Sequence, residues 1–187
     1  MPFFPTGLKE VKIFEPAVYE DERGCFFESY NEKLFGDNGI DARFVQDNQS
    51  FSRFGVLRGL HYQLAPYAQA KLVRVVRGEI FDVAVDIRKN SPDYAKWTGT
   101  ILSADNKKQM FIPRGFAHGF VVLSDCAEVI YKCDNFYSPA HNAGIIYNDK
   151  TIGINWPIDL KDVMLSAKDI NNPTLDQAEN NFIYGQI

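Results

Sequence analysis

Long apolar runs, a basic excess and a glycine-rich dinucleotide turn are all missing from this chain, and each absence removes a class of function. No segment approaches the roughly 18 uninterrupted apolar residues of a spanning helix. The N-terminus, MPFFPTGLKEVKIF, lacks the basic stretch and apolar run of a signal peptide. A cytoplasmic protein without a membrane partner is therefore expected. With 20 Lys and Arg against 24 Asp and Glu, the formal charge of -4 offers no broad basic surface to a nucleic-acid backbone. Any anionic ligand must be met locally. The three cysteines, Cys25, Cys126 and Cys133, are too few and too scattered for a disulfide framework or a zinc knuckle, and are expected to be small buried hydrophobes. Gly78 and Gly99 do not form G-x-G-x-x-G, so no dinucleotide cofactor is expected. There is also no His-x-His pair, because His61 is followed by Tyr62 and Gln63. His118 and His141 complete no three-ligand set without carboxylates that sequence does not place. No metal is expected.

Helical periodicity is scarce too. The apolar residues of this 187-residue chain come in short alternating runs broken by Gly, Pro, Asn and Asp. In 80–87, Phe81, Val83, Val85 and Ile87 lie on one face and Asp82, Ala84 and Asp86 on the other, so one face should meet the core. Similar readings predict strands near 10–14, 25–30, 43–47, 55–63, 71–77, 97–102, 109–112, 117–123 and 128–134. A helical turn or two fits 31–38 and a short helix fits 159–170. Many short strands with Gly, Asn and Pro turns argue for a sandwich or barrel rather than alternating β and α units. No repeat or composition break divides the chain, so residues 1–187 are read as one domain.

Polar groups inside strand-like sequence mark the candidate site. Val56-Leu-Arg-Gly-Leu-His-Tyr-Gln63 carries Arg58 and His61, and Lys71 opens KLVRVVRGEIFDVAVDIR. Such groups cost free energy unless a ligand or partner satisfies them. An imidazole base, a carboxylate to orient it, a cation for developing negative charge and a proton donor opposite would make an acid–base site, and His61, Lys71 and Tyr131 are candidate members. Read alone, Tyr131 in EVIYKCD is equally a core tyrosine with one hydrogen bond, and Arg58 equally a solvated edge residue. Strict alternation puts Arg58 and His61 on opposite faces, so both can line one pocket only if the strand is bulged, and Gly59 is where that would happen.

The runs GVLRGLHYQ, QAKLVRVVRGEIFDVAVDIRKNSPDY and LSADNKKQMFIPRGFAHGFVVLSDCAEVIYKCDNFYSP resemble the dTDP-4-dehydrorhamnose 3,5-epimerase family of the cupin superfamily. The likeness extends to DERGCFFESYN, QDNQS, IGINWP and LSAKD, and so covers nearly the whole chain. It implies an all-β, jelly-roll (cupin-type) β-barrel with short peripheral helices, a homodimer without metal or cofactor, and a dTDP-linked 4-keto-6-deoxy sugar as substrate. By matching motif, His61 is implied as the base, Asp169 as its orienting carboxylate, Lys71 as the cation at the keto oxygen and Tyr131 as the acid on the other face. Arg23, Glu28, Gln46, Asp47, Asn48, Arg58, His118 and Lys168 match substrate-contact positions, and Tyr137 matches the aromatic that stacks on thymine. Two positions depart. Asn142 stands where the family commonly has a glutamate, and Cys25 replaces a more usual aromatic or aliphatic residue.

The residue types suit the implied chemistry. A proton beside a ketone leaves when its electrons can flow to the carbonyl oxygen, so a base and a cation are needed, and inversion needs a donor on the opposite face. Arginine forks suit a diphosphate. A non-catalytic sugar-nucleotide-binding barrel would keep Tyr137 and the arginines yet have no use for base and acid together. An epimerase of one carbon only, or of another dTDP-keto-sugar, stays open because the difference lies in pocket shape.

Overall fold

The structure, a computed structural model, describes residues 2–186. Its strands are β1 (Phe3–Pro5), β2 (Lys12–Phe14), β3 (Val18–Asp21), β4 (Gly24–Phe27), β5 (Gln46–Arg53), β6 (Leu57–Gln63) and β7 (Lys71–Arg77). There follow β8 (Glu79–Asp86), β9 (Trp97–Ser103), β10 (Gln109–Ile112), β11 (Phe116–Val122), β12 (Cys126–Cys133) and β13 (Asn142–Gly144). Two short α-helices accompany them, α1 (Glu32–Asp37) and α2 (Ala167–Ile170). The strands form a six-stranded sheet in the order β1-β2-β10-β7-β12-β5 and a five-stranded sheet in the order β13-β6-β11-β8-β9, with β3 and β4 as a separate hairpin. Every pairing between these strands is antiparallel. The architecture is all-β, of jelly-roll type, with helices only at its periphery.

The two sheets face each other across a core that draws Val73, Val75, Met110 and Val129 from the first and Ile80, Ala84, Phe116 and Phe120 from the second. The outer face of the five-stranded sheet is buried as well. Leu57, Leu60, Val83, Val85 and Val121 pack there against Ile145, Ile152, Trp156, Leu175 and Phe182 of the C-terminal segment. This corrects the reading of 80–87: Val83 and Val85 meet the C-terminal layer, and it is the Asp82 and Ala84 face that looks between the sheets. Two-sided burial explains why β11 is buried at every position. On the six-stranded sheet, α1 covers Phe14, Leu72 and Phe111 with Phe35. Asn31 caps that helix by accepting from the Leu34 N–H.

The short helix expected over 159–170 is two pieces. A 3-10 turn spans Leu160–Asp162, and α2 begins only after Ser166, whose hydroxyl caps it by accepting from the Asp169 N–H. The strand expected at 43–47 starts later and runs longer, as β5 at one edge of the six-stranded sheet. Strands β1, β3 and β13, of three or four residues each, carry too little pattern to be read from sequence. Of the cysteines, Cys133 is buried and Cys126 half-buried, but Cys25 is exposed on β4. The hairpin that carries it is exposed at every strand position but Phe27.

Candidate active site

Antiparallel register assembles the polar groups of the inner faces in rows. On the six-stranded sheet, Gln46, Cys133 and Lys71 stand side by side on β5, β12 and β7, and Asn48, Tyr131 and Val73 form the next row. Val73 belongs to the inter-sheet core, so both rows look inward. Facing them on the other sheet, His61 lies opposite His118, which lies opposite Ala84. A cavity of about 390 Å³ opens at this end of the sandwich, lined by Gln46, Asn48, His61, Lys71, Tyr131, Tyr137 and Lys168 together with Gln63, Gln69 and Asn142.

The bulge expected at Gly59 is present. His118 pairs with His61 and Phe120 with Arg58, so two residues of β6 are spanned by one of β11. The extra residue returns Arg58 and His61 to the same face. Gly59 has φ +134, and a Cβ there would stand 2.6 Å from the Gly119 Cα, so backbone approach and conformation both demand glycine.

His61 Nε2 lies 2.5 Å from Asp169 Oδ1, while Ser166 Oγ donates to Asp169 Oδ2 at 2.8 Å. Asp169 is 3% exposed. Burial acts to raise its pKa, but the hydrogen bond and charge of His61, with the Ser166 hydroxyl and Lys168, outweigh it and hold the carboxyl below its usual range. An ionised Asp169 accepts the proton of Nε2, which leaves the lone pair on Nδ1 of the cavity-lining imidazole. Lys71 Nζ sits 5.9 Å from the centre of the Tyr131 ring. Burial pushes the Lys71 ammonium down and the Tyr131 phenol up, the latter opposed by Arg58. A phenol raised above its ordinary value keeps its proton near neutrality and can donate it.

Seven of the thirteen sequence-assigned site residues thus line one cavity, and Asp169 supports one of them from behind. The others lie elsewhere. Asp47 points to the outer face, paired with Lys132 at 3.0 Å, because alternation cannot turn all of Gln46-Asp-Asn48 inward. Arg58 donates from Nε to Ser52 Oγ at 3.1 Å, and its charge acts on Tyr131 without lining the cavity. His118 is buried behind His61, its Nε2 2.7 Å from Asp82 Oδ1. Arg23 and Glu28 belong to the β3–β4 hairpin region, Arg23 paired with Asp21 at 2.6 Å and Glu28 accepting from Asn31 at 3.2 Å. Sequence reading did not single out Asp82, Ser166, Gln63 or Gln69. Asp82 carried a usable signal, since a carboxylate in an otherwise apolar run costs free energy without a partner. Among the described residues no three His, Cys, Asp or Glu side chains converge as a metal site would require.

The model of one family, dTDP-4-dehydrorhamnose 3,5-epimerase, matches residues 5–177. A relative of that name from Shigella flexneri is 57% identical over 180 residues, which are 96% of this chain and 98% of the relative. The crystal structure of a dTDP-6-deoxy-D-glucose-3,5-epimerase from Legionella pneumophila, in complex with dTDP-4-keto-L-rhamnose, superposes with TM-score 0.90 at 50% identity, covering 94% of this chain and 93% of that one. A 3'-monoepimerase from Streptomyces bikiniensis in complex with dTDP-quinovose superposes with TM-score 0.85 at 34% identity, covering 92% and 87%. A match this long in sequence and this close in backbone, around one cavity holding an imidazole, an amine and a phenol, shows that the chain belongs to the dTDP-4-dehydrorhamnose 3,5-epimerase family.

Proposed function

We propose that the chain converts dTDP-4-keto-6-deoxy-D-glucose to dTDP-4-keto-L-rhamnose by metal-free acid–base epimerisation at the two carbons beside the keto group, acting as a cytoplasmic, single-domain homodimer. The observation that carries this reading is the convergence of carboxylate-anchored His61, Lys71 and Tyr131 on one cavity. His61 Nδ1 takes the proton on carbon, and Asp169 stabilises the imidazolium that results. The electron pair moves to the keto oxygen, where the Lys71 ammonium meets the developing charge, an effect worth roughly 3–4 kcal/mol in a dry, preorganised site. Tyr131 returns a proton from the other face, which inverts the centre. The nucleotide lies along Tyr137, Gln46, Asn48 and Lys168, with Asn142 beside them.

Arg23 and Glu28 lie off this cavity, and their placement supports the homodimer. Arg23 sits in the turn of, and Glu28 just after, a hairpin whose directly opposed Tyr19 and Phe26 are 69% and 73% exposed, a pair that gains by being covered. In the dimer the hairpin brings Arg23 and Glu28 to the cavity of the other copy. Mixing inactive His61→Asn and Arg23→Ala chains should then restore activity in hybrid dimers, and no recovery on mixing would refute the shared site. For the reaction itself, dTDP-4-keto-6-deoxyglucose in D₂O should acquire deuterium at both carbons beside the ketone. Deuterium at one carbon alone would replace this reading by a monoepimerase, and none at either would refute it.

A further inference from the structure

The inner face of the five-stranded sheet carries a second carboxylate–imidazole pair, which the acid–base set above leaves without a task. Asp82 stands opposite Phe120 and His118 opposite Ala84, so both project into the inter-sheet core. Asp82 is wholly buried. One of its oxygens meets His118 Nε2 at 2.7 Å, and the other, Oδ2, has no hydrogen-bond partner among the described residues. A buried carboxylate with an orphaned oxygen is costly unless a positive charge answers it. Lys71 projects into the same interior from the opposite sheet, and no carboxylate comes within 4.0 Å of it among the described residues. Its counter-charge therefore acts through space.

The titratable groups that face Lys71 are Tyr131 and Cys133 of β12, His61 of β6, His118 of β11, Asp82 of β8 and Lys168 across the cavity. Three of the six are excluded as the anion at once: Lys168 and the two histidines carry positive charge or none. Burial pushes the Cys133 thiol up to about 11 and raises Tyr131, so both hold their protons near neutrality. Of the other carboxylates toward this end, Asp169 is taken up by His61 and Ser166, Asp134 by Arg114 and the Ala70 N–H, and Asp47 by Lys132 on the outer face. Asp82 remains. Burial also holds His118 below its ordinary range, so a neutral imidazole donates a hydrogen bond from its Nε2–H to Asp82 without cancelling the carboxylate's charge.

We propose that Asp82 is a positioning residue for the reaction: anchored by a neutral His118, it is the fixed negative charge between the sheets that keeps Lys71 protonated. The part that concerns turnover rests on the role given to Lys71 above. The charge relation itself does not, and it is read without substrate from the titration of Lys71 in protein labelled with ¹³C-lysine. Asp82→Asn keeps the shape and removes the charge. The Lys71 midpoint should fall by at least about one pH unit, and the alkaline limb of kcat should move down with it. At the pH of the wild-type midpoint a one-unit fall lowers kcat about fivefold, with KM little changed. Loss of activity by an equal factor at every pH, with the Lys71 midpoint unmoved, would overturn the proposal and leave Asp82 a packing residue. A midpoint that falls while kcat stays put would confirm the counter-charge and refute instead the role of Lys71 in the reaction. His118→Gln is the second variant, which serves also if Asp82→Asn does not fold. It retains the Asp82 charge, so the Lys71 midpoint should stay or rise, and a fall would overturn the assignment of the charge to Asp82.

Discussion

Replacing Asp169 by asparagine tests how much of the base's strength comes from the carboxylate behind it. Asp169 touches His61 Nε2 at 2.5 Å and does not line the cavity, so the substitution should act on kcat and leave KM nearly alone. Ser166 decides which way the new amide turns. Its hydroxyl oxygen already accepts the Asp169 N–H at 3.1 Å and has a second lone pair, so it can accept from the asparagine Nδ2. That leaves the amide oxygen for His61 Nε2 and preserves the tautomer with its lone pair on Nδ1. What is lost is the charge. A hydrogen bond to an ionised group contributes about 1.5–3 kcal/mol against about 0.5–1.5 for a neutral one, a difference of about 1–2 kcal/mol. At roughly 1.4 kcal/mol per factor of ten, kcat should fall about 5- to 30-fold. If the amide nitrogen turned to His61 instead, the tautomer would be wrong and the loss would approach the roughly 10²–10⁴-fold of the whole base contribution. The assay is the initial rate of dTDP-4-keto-6-deoxyglucose conversion followed by NMR, with circular dichroism to confirm the fold. A kcat within twofold of wild type, or a change confined to KM, would refute the reasoning, because either result means that Asp169 does not support charge on His61.

Tyr131→Phe keeps the ring and removes the hydroxyl, so net inversion should fall much more than solvent deuterium exchange at the carbons beside the ketone. Equal losses, read by NMR of the recovered sugar nucleotide, would show that Tyr131 is not the opposite-face acid. Extended dialysis against a chelator should leave activity unchanged, and a loss restored by one specific divalent ion would revive a metal mechanism. His118, held neutral by burial, ties stability to pH. Below about pH 6.5 the unfolded chain binds a proton that the folded one refuses, so stability falls as pH drops through that value toward the lower folded pKa. His118→Gln should remove this contribution, flattening denaturation-derived stability in that window by up to about 1.4 kcal/mol per pH unit, and an unchanged slope would mean that His118 titrates alike in both states.

The sequence by itself determined the class of fold and named the candidate members of the chemistry. Period-two alternation in β7, β8 and β12 needs no partner to be recognised, and the motifs around His61, Lys71, Tyr131 and Asp169 carry their residue types in fixed order. Even the bulge at Gly59 could be inferred, since two polar groups three apart in a strand face the same way only if the ladder slips. Which faces become inner ones was a different matter. The Val83 face of β8 looked like the core because it is apolar, but the C-terminal layer claims it, and the Asp82 face is left between the sheets. Asp47 lies in a matching motif and still does not line the cavity, because alternation, not motif membership, sets side-chain direction, while Arg58 and His118 share the face of His61 and are engaged instead by Ser52 and Asp82. The pairing of His61 with Asp169, 108 residues apart, and of His118 with Asp82 required the sheets to be stacked. A strand's own sequence specifies that it has two faces. Only its neighbours decide which face meets solvent, which meets core, and which meets a buried charge.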